Sequence, residues 1–252
     1  MHIKKLLYIL ESESRGLNGL KQLLVLRKLG LEEVVCLSPK KAEGLERALG
    51  DEGIALREIS GENLGADRIV STARQEKVSM IAAYLRRRSE GGMRSSLGKK
   101  LIKSSNLPLI LMPAQEEPGR SAGKHIFSKV LFATKWEPVA ERALKFLLEC
   151  RGLIHELEIV TVINRKLSIR DMIQLKKLLE DTRGEFLDRG IDAEAHIYAG
   201  KPPEEIMLAS RDYNANSIVM GATSASGLRR LTHRGCTYEV AGRTDVPVLV
   251  IP

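Results

Sequence analysis

Few side chains on this chain are of a kind, and at a spacing, that can do chemistry. Between the apolar run Ser217–Met220 and a helical stretch near Thr237–Gly242 lies a loop rich in Gly, Ser and Arg. Such a backbone approaches an anion closely and offers it main-chain N–H groups. The same composition also serves a plain strand-to-helix connection in a parallel sheet. A second basic stretch holds Arg86, Arg87, Arg88, Arg94, Lys99, Lys100 and Lys103 against Glu90; it could attract phosphates or nucleic acid, but a solvated helix face explains it without any ligand. Aromatic residues make up only 4% of the chain, so base stacking is poorly supported and a nucleic-acid partner is disfavoured. Cys236, near the expected start of the last helix, is a candidate for a lowered thiol pKa, set against a packed or merely exposed thiol. Trp136 reads as packing over the cleft. His125, His155 and His233 are scattered, Asp and Glu show no metal spacing, and neither GxSxG nor a Walker A sequence occurs. No catalytic residue and no metal site is expected. Cys36, Cys150 and Cys236 lack CxxC spacing, which argues against a disulfide framework or a zinc site.

These groups need a scaffold, and the chain supplies one by alternation. Its 252 residues, 43% hydrophobic and 29% charged, suit a globular protein of one or two domains. No apolar run has the roughly 18 residues of a membrane span, and the apolar segment after Lys5 is broken too soon by Glu11 to be a signal peptide; a cytoplasmic protein without a membrane partner is expected. Lys5–Leu10 (KLLYIL) reads as a buried strand, Leu17–Leu29 as a helix stopped by Gly30, Val34–Leu37 as a strand, Lys41–Leu49 as a helix. Strand Ile54–Ile59, helix Gly61–Lys77, strand Val78–Tyr84, helix Ser96–Ser104 and strand Leu107–Met112 follow. Strand and helix in turn predict a mostly parallel sheet with helices on both faces.

Ala114–Gly123 reads as a linker, after which the series restarts at Lys129 and ends in strand Val246–Ile251. The predicted domains are 1–113 and 124–252, joined by 114–123. Gly61 and Gly200, Ala82 and Gly221, and Pro108 and Pro247 each differ by 139 residues, whereas Lys5–Tyr8 and Lys129–Phe132 differ by 124. A common offset marks an internal repeat, and the extra length is assigned to a longer second helix in the second half.

The second half resembles a universal stress protein domain. The resemblance is carried by Val130–Thr134, Pro138–Leu144, Gly200-Lys201-Pro202, Ser217–Gly221 with Gly227-Leu228, and Val246–Ile251, in family order over nearly all of 126–252. It implies two tandem flavodoxin-like (adenine nucleotide alpha hydrolase-like) α/β domains, each a five-stranded parallel sheet with helices on both faces. Nucleotide-binding members hold phosphates on a Gly-x2-Gly-x9-Gly-Ser/Thr loop after the fourth strand. The matching positions here are Gly221, Ser224, Arg234 and Gly235, with Gly235-Cys236-Thr237 one residue downstream; in the first half they are Ala82, Leu85, Ser95 and Ser96. Both loops are degenerate. Where such members carry an acidic residue at the end of the first strand, this chain has Lys135, with Glu11 as its first-half counterpart; a lysine cannot accept a hydrogen bond.

The residues the resemblance implies for a nucleotide site are Thr134, Lys135, Val162, Gly221, Ser224, Arg234, Gly235 and Cys236. Lys135, Arg229, Arg230 and Arg234 should gather at the C-terminal edge of the sheet, where open α/β folds bind ligands. The expected function is a non-enzymatic stress-response or regulatory protein with a degenerate nucleotide or phosphate site. The alternative is an ATP- or AMP-binding protein with slow hydrolysis or phosphotransfer through the second-half loop. The resemblance also implies an internal pseudo-dimer, because the apolar fifth strands Leu107–Met112 and Val246–Ile251 need cover.

Overall fold

Short apolar runs become strands because a parallel sheet buried on both faces has no side that must be polar. In β1 (Lys5–Ile9) every residue after Lys5 is buried, as in β6 (Lys129–Ala133), and all of β5 (Leu109–Met112) and β10 (Val248–Ile251) is buried. The others are β2 (Glu33–Ser38), β3 (Ala55–Ser60), β4 (Met80–Tyr84), β7 (Glu156–Ile163), β8 (Asp192–Ala199) and β9 (Ser217–Gly221). The computed structural model describes residues 3–10, 13–40, 44–61, 64–84, 96–113, 125–135, 138–222 and 230–252. The linker 114–123, Glu11, Leu85, Ser95, Trp136 and Ser224 therefore lie outside the described residues.

Between the strands run α1 (Glu13–Leu23), α2 (Leu45–Gly50), α3 (Ala66–Gln75), α4 (Ser96–Ser104), α5 (Pro138–Glu149), α6 (Ile169–Leu187), α7 (Pro202–Asp212) and α8 (Arg230–Arg243). The helix read over Leu17–Leu29 is α1 continuing as a 3-10 segment, Leu24–Leu29, and it stops where Gly30 turns left-handed at φ 97°. The ten strands form one sheet in the order β3-β2-β1-β4-β5-β10-β9-β6-β7-β8. Each half thus repeats the order 3-2-1-4-5, a doubly wound α/β arrangement that differs from flavodoxin's own 2-1-3-4-5. Pairing is parallel within each half, and β5 pairs antiparallel with β10 through Leu111–Val248, Ile110–Leu249 and Leu109–Val250. One apolar layer contains Leu20, Phe146 and Phe186, so α1, α5 and α6 share a face. Ile69, Leu101, Ile206 and Val240 place α3, α4, α7 and α8 on the other.

Backbone pairing corrects the repeat register. Ser79 N–H donates to the Lys5 carbonyl and Asn216 N–H to the Lys129 carbonyl, and the strands continue as Leu6–Met80 and Val130–Ser217. The offset at the fourth strand is therefore 137 rather than 139, so Gly221 matches Tyr84 and not Ala82. Two further residues lie between β9 and β10, which restores 139 at the fifth strand; they were invisible in an ungapped reading. The larger insertion falls where the sequence assigned it, since α6 has 19 residues and α2 has 6. Pro108 and Pro247 immediately precede β5 and β10, and their carbonyls accept from Ile81 and Ile218, so the missing donors cost the ladder nothing.

The last helix departs from expectation: α8 begins at Arg230, seven residues before Thr237. The Gly and Arg content that suggested a loop as far as Gly235 does not interrupt it, because α8 packs against α4 and α7 and packing outweighs the propensity of one glycine.

Candidate functional site

Strand order decides where a ligand can enter. In the second half β6 lies between β9 and β7, so the connections after β6 and β9 leave in opposite directions and open a crevice at their C-terminal ends. Thr134, the first residue beyond β6, is buried and tied to β7: its N–H donates to the Val160 carbonyl at 2.9 Å and its carbonyl accepts from the Thr161 hydroxyl at 3.2 Å. That anchor presents Lys135, exposed, at the end of the sheet. Beside it lies a cavity of about 590 Å3 whose wall includes Lys135, Val162, Arg165, Asp171, Leu175 and Leu178. The volume is that of a small-molecule site. Its wall combines aliphatic side chains with two cations and one carboxylate.

The remaining expected residues fall on β9 and α8. Gly221 ends β9 opposite Ile251, and the next residue, Ala222, donates its N–H to the Ile251 carbonyl at 2.7 Å. Arg234 and Gly235 lie on α8, where a methyl group added at Gly235 would meet no atom within 4 Å. Among the described side chains, neither Gly221, Gly235 nor Cys236 lines the cavity. Of the two readings of Cys236 the packed thiol fits: burial pushes it up to about 11, although Lys135 pulls the other way, with Glu239 adding to the rise. Its place in the second turn of α8 also keeps it away from the orphan N–H groups of the first turn, which would favour a thiolate.

The universal stress protein family model matches residues 127–252. The chain belongs to the universal stress protein family. It is similar to universal stress protein YxiE of Bacillus subtilis (strain 168), at 27% identity over 75 residues that make up 30% of this chain and 51% of that protein. The chain thus spans about half the length of the curated relative it matches. It is also similar to the crystal structure of a universal stress protein from Archaeoglobus fulgidus DSM 4304, with TM-score 0.71, 20% identity, and coverage of 97% of this chain and 95% of that one. A candidate universal stress protein from Pseudomonas aeruginosa UCBPP-PA14 gives TM-score 0.75 at 17% identity, covering 99% and 93%. Identities this low speak for fold alone.

Within this universal stress protein the two halves differ at the fourth strand. Where the second half has Gly221, the first has Tyr84, whose ring meets Tyr8 edge-on at 6.4 Å and 76°. A methyl group added at Gly19 of α1 would stand 2.7 Å from Tyr84 Cζ and 3.1 Å from the Tyr8 hydroxyl. Tyr84 therefore fills the space beneath α1.

Several groups escaped the sequence reading. Arg165, from the segment before α6, and Asp171, in its first turn, reach the cavity; only Asp171 has a sign in the sequence, the helix-start pattern Ser168-x-x-Asp171, in which the Ser168 hydroxyl accepts from Asp171 N–H at 3.1 Å. Buried Glu158 meets Lys129 at 3.4 Å and His196 Nε2 at 2.8 Å. His196 stacks on Tyr213 at 4.5 Å, with Nδ1 3.2 Å from its hydroxyl. His125 and His155, separate in sequence, meet edge-on at 6.1 Å. Burial, then His155 and Lys28, hold His125 below the usual histidine range. The Glu158–His196 contact joins residues 38 apart and the His125–His155 contact residues 30 apart, which periodicity does not reveal.

Proposed function

We propose that this chain is a non-enzymatic stress-response regulator whose second half responds to an adenine nucleotide or a phosphate-bearing small molecule. The cavity of about 590 Å3 at the C-terminal edge of the sheet, with Lys135 and Val162 on its wall, carries this reading. ATP and AMP are the candidate ligands. Thr134 and Lys135 would face the ligand from β6, and Gly221, Ser224, Arg234, Gly235 and Cys236 would belong to the same nucleotide site on the β9 and α8 side of the crevice. The domain division 1–113 and 124–252 with linker 114–123, and the internal pseudo-dimer, belong to the same reading; the antiparallel contact of β5 with β10 supports them.

Thermal unfolding of the whole chain with ATP, AMP or inorganic phosphate tests the reading. A ligand at 100 times its Kd adds about 2.7 kcal/mol of stability, which an unfolding curve resolves. No shift with any of the three would sink it. Phosphate released from ATP in proportion to protein would instead favour a slow hydrolase.

A further inference from the structure

The charged groups of the cavity are divided between two elements. Lys135 comes from the end of β6, while Arg165 and Asp171 come from the segment that enters α6. Among the described residues none of the three forms an ion pair within the protein, although many other charged side chains do. Asp171 is also set in place by its neighbour: Ser168 takes its backbone N–H at 3.1 Å and caps α6. Val162, Leu167, Leu175 and Leu178 supply the apolar part of the wall.

A carboxylate only accepts hydrogen bonds, and an ammonium or guanidinium only donates them. A ligand complementary to this wall has three parts: hydroxyl donors for Asp171, an anionic group for Lys135 and Arg165, and a ring or other apolar body for the leucines and valine. Apolar groups beside an anion alone would leave Asp171 facing a like charge. We infer that Asp171 is a specificity-determining residue that accepts hydrogen bonds from the hydroxyls of a sugar-bearing anion such as a nucleoside monophosphate, with Lys135 and Arg165 taking its phosphate. This rests on the reading that the second half binds a small ligand, and adds which group of the ligand α6 recognises.

The test uses the full chain, isothermal titration, and two probes that differ only in the sugar hydroxyls, AMP and 2′,3′-dideoxy-AMP. Asp171→Asn is the variant, because the capping bond uses the backbone N–H of residue 171 and survives the change. Native protein is expected to bind AMP at least about tenfold more tightly than the dideoxy compound, the value of a hydrogen bond to a charged acceptor. In Asp171→Asn that preference should largely vanish, while Lys135→Met should weaken both ligands alike. Equal affinity for both probes in the native protein, or a preference undiminished in Asp171→Asn, overturns the role of Asp171 and leaves nucleotide binding intact. Native protein that binds neither probe overturns both the ligand reading and this inference.

Discussion

Tyr84 stands close against Gly19, and the geometry makes the fit directional. Gly19→Ala would push a methyl group into the Tyr84 ring and should cost about 1–3 kcal/mol in urea unfolding, the usual range for overpacking. Tyr84→Ala in the same chain should remove that added cost, so the pair should be strongly non-additive. Equal losses from Gly19→Ala in both backgrounds would mean the two residues do not touch. The thiols make a second residue-scale prediction. The ordinary thiol value is 9.0; burial pushes Cys36 up to about 11 and Cys150 up to about 12, and Cys236 stands at about 11. Below pH 9 the folded and unfolded chains keep these protons, and their contribution to stability is whole. As pH rises further the unfolded chain loses them first, and stability falls until the folded thiols ionise as well. The fall in Tm between about pH 8 and about pH 10.5 should therefore be smaller in a Cys36→Ala, Cys150→Ala double variant than in the native chain; an equal fall would show that these thiols ionise alike in both states.

At the scale of elements, α6 and α8 differ in how firmly they are specified. α6 starts at a Ser168 cap, so Ser168→Ala should lower stability by about 1 kcal/mol, read from the midpoint of chemical unfolding. α8 carries Gly235 where a methyl group would meet nothing, so Gly235→Ala should raise stability by up to about 1 kcal/mol; a loss would show that the bare backbone there is needed by the fold. The sequence disclosed the strands well because runs such as KLLYI and LILM have no polar face to misread. It placed α4 at about Ser96 to Ser104, and the structure describes α4 over Ser96–Ser104. It did not disclose the start of α8, since composition is local and the packing of α8 on α4 and α7 is not. Nor did it find Tyr84 as the partner of Gly221, because two residues between β9 and β10 shift the register without altering any hydrophobic pattern. In the site, Lys135 and Val162 could be found by resemblance, whereas Asp171 lies in the inserted helix, for which the first half offers no counterpart of equal length.

For the molecule as a whole, the central contact is β5 against β10, all eight residues buried. Residues 1–113 made alone would uncover one side of β5 as an apolar strand edge, a ready template for pairing. That fragment should dimerise or aggregate in sedimentation, whereas the intact chain has its partner strand attached; a stable monomeric fragment would contradict this view. The outer strands β3 and β8 carry most of the exposed strand positions, so the ends of the ten-stranded sheet are poor templates. The antiparallel β5–β10 join also bears on inheritance. When two identical subunits meet about a two-fold axis, every substitution appears twice and any gain in packing at one site is charged to the other. Covalent succession of the halves removes that constraint, so one can keep a glycine at the end of its fourth strand while the other places a tyrosine there. The backbone keeps the antiparallel β5–β10 register, and the side chains are free to differ between the halves.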